Sequence, residues 1–248
     1  MYIQVECTKD RPGRPPLQAA FQLNLKHGRI TFLAGPPGSG KSTLLDLLLG
    51  RLRPDKGFIT ADGKIWFKGD GNLFVEPLDR PVRAVRDDEI LSRHQTAQAI
   101  LSRALPHWPS PTRARRVAVL LDRIGLGRLA NRKVLELDPE QSWKLALARA
   151  LAPHPRLLLL DEPFAGLDAG PCGRFEADLR QLALEEKVAV LLSDACSGPL
   201  ARSEDFLLSI AGGQIQRSIP IRFPAGPGNP FVGAGPSQGW RDPLANTS

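Results

Sequence analysis

The sequence predicts an α/β protein with a mostly parallel sheet, a small antiparallel β subdomain and a helical insertion. Three observations lead to this fold class. β-Rich runs alternate with helical stretches in the second half of the chain, which is the pattern of parallel strands joined by crossover helices. The β-type run at 30–34 ends in a glycine cluster that opens a leucine-rich helix. Helical apolar spacing within 87–130 interrupts the alternation.

The first half of the chain carries two strands, one helix and a small sheet. Alternating residues at 21–25 predict a strand, and 30–34 predicts the next. Leucines fall on more than one helical face of 42–52, so this helix is expected to be buried. Asp-Gly and Gly-Asp turns separate β-type pairs within 57–74, which predicts the antiparallel part.

The second half begins with the helical insertion, which is broken near Pro106, Pro109 and Pro111. The elements expected after it are a helix at 140–151, a strand at 157–161, a helix at 172–186 and a strand at 188–192. We therefore expect one domain over 1–217, with a helical subdomain at 87–152 inserted in it. Eleven Pro or Gly residues lie in 220–248, so 218–248 is expected to be an extended or disordered tail.

Composition limits the class of protein without naming a ligand. The 248 residues are 42% apolar and 24% charged, which suits a globular domain and excludes disorder throughout. The net charge of +7 favours phosphates, acidic lipids or acidic partners. There is no apolar run of about 18 residues and no basic-then-apolar leader, so we expect neither export nor membrane embedding. Three cysteines without Cys-x-x-Cys spacing disfavour a disulfide framework or a zinc site.

The glycine cluster matches the phosphate-binding pattern G-x-x-x-x-G-K-[ST] between a predicted strand and a predicted helix. Its glycines let backbone N–H groups turn inward, and the helix N-terminus adds positive potential. Lys41 would contact the β and γ phosphates, and the Ser42 hydroxyl could ligate Mg²⁺. The predicted nucleotide-binding residues are Gly35, Pro36, Pro37, Gly38, Ser39, Gly40, Lys41, Ser42 and Thr43.

A second acidic motif follows the apolar strand at 157–160. Ligands of open α/β sheets lie beyond the carboxyl ends of the strands, so Asp161 and Glu162 should emerge near the phosphates. Asp161 would hold Mg²⁺, and Glu162 would polarise the water that attacks the γ-phosphate. Together the two motifs predict a P-loop nucleoside triphosphatase.

The segments 147–151 and 155–168 resemble the nucleotide-binding subunits of ABC transporters, from the signature helix through Walker B to the D-loop residue Asp168. The resemblance covers about 1–217, and its first half is most similar to molybdate-type importer subunits. It implies ATP and Mg²⁺ as ligands and a head-to-tail dimer that sandwiches ATP between Walker motifs and signature loops. It also implies an integral membrane permease partner and a place on the cytoplasmic face of the cell membrane.

The signature loop departs from that family. Where the family has Leu-Ser-Gly-Gly-Gln, this chain has Leu137, Asp138, Pro139, Glu140 and Gln141. The Ser hydroxyl and the glycine N–H donors are therefore replaced, and proline has no N–H. Asp is nevertheless a preferred N-cap, and Pro suits the first helical turn. The helix should form, whereas its anion site should be weakened.

Three further positions depart from the family. The glutamine near Mg²⁺ aligns with Asp87, whose carboxylate can still bind the ion. The switch histidine falls on Ser193, a hydroxyl that cannot carry positive charge to the γ-phosphate. The segment 8–16 lacks the aromatic residue that usually stacks on adenine. These departures suggest a degenerate subunit that works beside a second ATPase chain with an ordinary signature loop.

The favoured reading is the ATPase subunit of a membrane transporter, with no nucleic acid involved. An alternative is a soluble ABC-type ATPase that acts on nucleic acid or on an assembly. The net charge and the cluster of Arg113, Arg115 and Arg116 beside Trp108 motivate it. A third reading is an ATP-binding regulatory subunit without catalysis, which only a turnover measurement separates from the first.

Overall fold

One eleven-stranded sheet runs through the protein in a computed structural model that describes residues 1–70, 72–86, 91–163, 169–194 and 206–220. The strands are β1 (Tyr2–Arg11), β2 (Arg14–Asn24), β3 (Ile30–Ala34), β4 (Lys56–Ala61), β5 (Lys64–Lys68), β6 (Leu73–Phe74), β7 (Val82–Val85), β8 (Leu157–Asp161), β9 (Ala189–Asp194), β10 (Phe206–Ala211) and β11 (Gln214–Pro220). The helices are α1 (Lys41–Leu49), α2 (Ala97–Arg103), α3 (Ser110–Arg123), α4 (Pro139–Leu151) and α5 (Ala169–Glu185), with short 3-10 turns at Pro77–Asp79, Gly127–Leu129 and Val134–Glu136.

The parallel half of the sheet has the order β10-β3-β9-β8-β7. All five residues of β3 are buried, and so are the four leucines of β8. Parallel strands covered on both faces have such continuous apolar runs. The predicted strands at 30–34, 157–161 and 188–192 are thereby confirmed, with β9 extending to Asp194.

The antiparallel strands continue the same sheet in the order β6-β5-β4-β1-β2. Five of the ten pairings between the described strands are antiparallel, so one mixed sheet contains both the parallel core and the predicted antiparallel part. The sequence analysis did not predict β1, β10 or β11. These strands pair within local hairpins, β1 with β2 and β10 with β11, and they also join partners that lie far away in the sequence, such as Ile3 opposite Ala61.

Two apolar layers cover the two faces of the sheet. Leu157 and Leu159 pack with α1, whereas Leu158 and Leu160 pack with the helices of the insertion and α5. The side-chain period of two in a strand therefore divides one leucine run between two cores. The predicted division into domains stays a prediction, although the boundary at 217 falls inside β11.

The helical insertion consists of α2, α3 and α4, which lie within the predicted 87–152. One arginine of its cluster is not at the surface, because Arg116 is buried and donates to the carbonyl oxygens of Leu151 and Ala152 and to Glu186. Trp108 stacks on His154. In the described ranges, none of the helices combines the length and apolar character needed to cross a membrane.

Candidate nucleotide-binding site

The glycine loop joins the end of β3 to the start of α1 and depends on glycine at two positions. A Cβ atom at Gly35 would lie 2.2 Å from the carbonyl oxygen of Ile210, which is closer than packed atoms can approach. Gly40 has a φ of 119° immediately before the first helical residue. Side chains at these positions would clash or strain the backbone. The loop thus brings its backbone close to the N-terminus of α1, as an anion site requires.

Lys41 lies between the loop and the second acidic motif. Its Nζ donates to the carbonyl oxygen of Gly35 at 2.8 Å and lies 3.2 Å from Oε1 of Glu162. Only 5% of the lysine is exposed, so its ammonium group is held at the mouth of the loop. A phosphate oxygen is also negatively charged. A bound phosphate can therefore replace the Glu162 carboxylate as the ion-pair partner of Lys41.

Asp161 and Glu162 lie at the carboxyl end of β8, and Ser193 on β9 connects them. The Ser193 hydroxyl donates to Oδ1 of Asp161 at 2.6 Å and accepts from the backbone N–H of Glu162 at 3.0 Å. Ser193 is fully buried. These contacts fit a positioning role for Ser193, and its predicted role at the γ-phosphate stays a prediction.

Arg86 is a functional candidate that the sequence analysis missed. Its Nη1 contacts Oδ1 of Asp46 at 2.5 Å, and its Nη2 lies 3.6 Å from Oδ2 of Asp161. Burial raises the pKa of Asp46 above its ordinary value, although the charges of Arg86 and Arg51 act in the opposite direction. The sequence contained a signal for Asp46, the partner of Arg86. Asp46 lies four residues after Ser42 and therefore on the same face of the helix.

Two more arginines approach the loop from the hairpin between β1 and β2. Arg11 donates from Nη1 to the carbonyl oxygen of Gly38 at 3.1 Å and from Nε to that of Pro15 at 2.8 Å. A Cβ atom at Gly38 would lie 3.4 Å from Nη1 of Arg14. Burial and then the charge of Arg14 lower the pKa of Arg11. Neither arginine forms an ion pair with a carboxylate among the described residues, so both can contribute positive potential beside the loop.

The oxygen donors at the loop fit a magnesium ion held together with a nucleotide. Ser42 is exposed at the start of α1, and Asp161 is the last residue of the parallel strand β8. Mg²⁺ is usually bound by one or two such oxygens together with phosphates and water. Among the described side chains, no group of three His, Cys, Asp or Glu residues could hold a metal by itself. Asp87 lies outside the described residues.

The signature segment forms the capped N-terminus of α4, as predicted. Oδ1 of Asp138 accepts from the backbone N–H of Gln141 at 2.7 Å, and Oε1 of Gln141 accepts from the N–H of Asp138 at 3.2 Å. Pro139 occupies the first helical position. Glu140 forms an ion pair with Lys144 at 2.9 Å. The chain's own side chains therefore accept hydrogen bonds from the amides of Asp138 and Gln141. Asp168, the other predicted dimer residue, lies outside the described residues.

The fold and the site define a P-loop nucleotide-binding domain, with the glycine loop after β3 and the Asp-Glu pair after β8. Residues 19–165 match the protein family described as ABC transporter. The chain belongs to the ABC transporter family. The predicted resemblance, including its similarity to molybdate-type importer subunits, is confirmed.

The curated relatives include several import proteins. The chain is 31% identical over 210 residues to the molybdenum import ATP-binding protein ModC of Mesorhizobium japonicum, covering 85% of this chain and 56% of that protein. It is 33% identical over 202 residues to the phosphonates import ATP-binding protein PhnC 3 of a Nostoc species, covering 78% and 77%. The chain thus spans a little over half the length of the molybdenum relatives it matches.

Solved structures share the fold. CbiO1 from Clostridium perfringens, part of an ABC transporter complex, has a TM-score of 0.75 at 22% identity and covers 88% of each chain. A dimeric ATP-binding cassette with ADP and Pi bound has a TM-score of 0.69 at 24% identity, covering 90% of this chain and 99% of that one. These likenesses confirm the predicted fold class.

Proposed function

We propose that this chain is the ATP-binding subunit of an ABC importer, which binds ATP with Mg²⁺ and hydrolyses it. One observation carries the proposal: Lys41 is held between the glycine-loop carbonyl of Gly35 and the carboxylate of Glu162. This contact joins the two motifs that a P-loop triphosphatase requires. Relatives named as import ATP-binding proteins for molybdenum, phosphonates and Fe(3+) ions support the importer assignment.

Each site residue has a distinct task in this proposal. Backbone amides of the glycine loop and Lys41 bind the phosphates. Ser42 and Asp161 would hold Mg²⁺, which neutralises phosphate charge when bound. Lys41 exchanges the Glu162 carboxylate for a phosphate oxygen, because both are anions that compete for one ammonium group. Glu162 is then free to accept a proton from the attacking water.

The partner would be an integral membrane permease, which places the subunit peripherally on the cytoplasmic face of the cell membrane. The matched relatives are named for import, and this supports the direction of transport. We expect the partner proteins, rather than this subunit, to recognise the transported substrate.

The proposal also includes a second ATPase chain as the dimer partner of this one. The Gln141 amide already donates to the Asp138 carboxylate, and Pro139 has no N–H that could donate to a phosphate. If the carboxylate of Asp138 or Glu140 came within about 4 Å of a phosphate charge, repulsion would be roughly 1 to 4 kcal/mol per pair. This signature loop therefore suits a heterodimer, in which the partner's intact signature serves Lys41 and Glu162 of this chain.

Equilibrium binding of fluorescent ATP to the purified full chain tests the proposal. We expect the wild type to bind, Lys41→Ala to lose about a hundredfold in affinity because charge-assisted contacts disappear, and Glu162→Gln to bind without turnover. Hydrolysis by the isolated chain should be slow or absent. A wild type that binds no ATP, or Lys41→Ala that binds equally well, would overturn the proposal, and rapid turnover by the isolated chain would contradict the heterodimer.

The nucleic-acid alternative has lost part of its support. Its basic cluster depended on three arginines, and Arg116 is buried against Glu186. The non-hydrolysing regulatory subunit differs from the proposal in turnover alone, and measurements on the complex with its second ATPase chain decide between them.

A further inference from the structure

We propose that Arg86 is a built-in counter-ion of Asp161, so that Mg²⁺ must compete with its guanidinium group and ATP binding by this chain depends only weakly on Mg²⁺. The inference rests on the proposed function, because it concerns the same nucleotide site. It assigns a new task to a residue that lies outside both Walker motifs.

The contacts of Asp161 carry the inference. Its Oδ1 accepts from the Ser193 hydroxyl at 2.6 Å, and its Oδ2 lies 3.6 Å from Nη2 of Arg86. Both oxygens of the predicted magnesium carboxylate are therefore engaged by the protein. The Asp161 side chain is 11% exposed, so bulk water screens this ion pair only in part.

Asp46 keeps the guanidinium group in place. It contacts the other terminal nitrogen of Arg86 at 2.5 Å from α1, so one arginine is held between two carboxylates. The space around them is lined mainly by apolar side chains, including Leu45, Leu49 and Leu159. A low local dielectric strengthens such a pair.

The charges explain the expected effect on Mg²⁺. Asp46 and Asp161 together carry two negative charges, and Arg86 cancels one of them before any metal arrives. A divalent cation therefore gains less at Asp161 than it would without the arginine. Mg²⁺ could still bind through water molecules to the remaining lone pairs of Asp161, together with the Ser42 hydroxyl.

The test compares ATP affinity of the full chain in EDTA with that in Mg²⁺, and follows Mn²⁺ binding to the nucleotide-loaded protein by electron paramagnetic resonance. We expect the wild type to change affinity by less than about threefold with the metal. Arg86→Gln should show a gain of about tenfold or more, equivalent to roughly 1.4 kcal/mol, and should bind Mn²⁺ correspondingly more tightly.

Arg83→Gln is the matched control, because Arg83 lies on β7, three residues before Arg86, and among the described residues donates to the backbone carbonyls of Arg80 and Val82. It should behave as the wild type does. If Arg86→Gln does not fold, Asp46→Asn/Arg86→Gln removes both charges of the pair and should show a smaller gain in the same direction, because Asp161 loses its counter-ion but the charge of Asp46 disappears as well. A wild type with strong Mg²⁺ dependence that these variants leave unchanged would overturn the inference and leave the proposed function intact. A wild type that binds ATP in neither condition would overturn the proposed function instead.

Discussion

The Ser193 hydroxyl is the link between β9 and the two acidic residues that follow β8. It is buried and uses both its donor and an acceptor lone pair on neighbouring groups. Removing a buried hydrogen-bonding group lowers stability mainly because its former partners are left without a hydrogen bond. Its contribution to catalysis would then act through the position of Asp161 and Glu162.

We predict that Ser193→Ala lowers the free energy of unfolding by about 1 to 3 kcal/mol, because Asp161 loses a buried hydrogen-bond donor while the Glu162 amide keeps only the backbone carbonyl of residue 193. Urea unfolding measures this. Ser209→Ala on β10 is the control. Equal stability of the two variants would contradict the assignment.

The arginines of the β1–β2 hairpin give a second prediction at this scale. Arg14→Ala should weaken ATP binding by roughly threefold to tenfold, since an exposed charge beside the loop is partly screened. The loss should shrink as salt is raised. Titrations at two ionic strengths test this, with Lys64→Ala at the start of β5 as the control. An affinity unchanged at low salt would exclude Arg14 from the site.

At the scale of elements, the insertion is tied to α5 by a buried ion pair. Arg116 on α3 contacts Glu186, just beyond α5, at 2.6 Å, and their side chains are 8% and 3% exposed. Arg123 and His154 contact the same carboxylate. This cluster joins the helical insertion to the crossover helix of the core.

Arg116→Met should lower the free energy of unfolding by about 3 kcal/mol, because it leaves a carboxylate buried with less compensation. Arg123→Gln removes a more exposed partner of the same carboxylate and should cost less than about 1 kcal/mol. Chemical denaturation measures both. If the two variants lost equal stability, burial would not govern this cluster.

The same cluster predicts a dependence on pH. Burial and then the charge of Arg116 lower the pKa of His154. Burial raises the pKa of Glu186, but the hydrogen bond and charge of Arg116 outweigh it, so this pKa is lowered overall. In both cases the unfolded state takes up its proton first as the pH falls.

Stability should therefore decline below about pH 6.5 from His154 and further below about pH 4.3 from Glu186. Thermal unfolding across this range tests the prediction. His154→Gln should reduce the first decline, to which His27 also contributes because burial lowers its pKa, and should keep the second. A wild type that becomes more stable between pH 6.5 and 5 would contradict the sign.

At the scale of the whole molecule, the proposed heterodimer depends on the capped signature loop. Asp138→Ser, Pro139→Gly and Glu140→Gly together restore Leu-Ser-Gly-Gly-Gln at 137–141. In a Glu162→Gln background, this triple variant should form an ATP-dependent homodimer, because glycine N–H donors replace proline and two carboxylates. Light scattering after gel filtration measures the mass.

Asp138→Ser alone is the matched control, since it keeps the N-cap but retains Pro139 and Glu140. It should remain monomeric with ATP. An ATP-dependent homodimer of the Glu162→Gln chain with its natural signature loop would contradict the proposed heterodimer.

Local signals determined much of this protein from the sequence alone. The glycines at 35 and 40 fix the loop, the leucine run fixes β8, and Asp138 with Gln141 fixes the start of α4. Each signal acts within a few residues, through backbone freedom, apolar burial or capping. Helix ends were less certain, because α1 stops at Leu49, where Gly50 takes a left-handed conformation, rather than at 52.

Only the tertiary structure decided which charges meet. Arg86 reaches Asp46 across 40 residues of sequence, and Arg116 reaches Glu186 across 70. The order of strands brings such partners together, and that order depends on pairings such as β1 between β2 and β4. Local propensity specifies neither strand order nor the direction in which a long arginine side chain extends. The sequence therefore predicted where phosphates would bind, whereas the assembled sheet decided which cation lies beside Asp161.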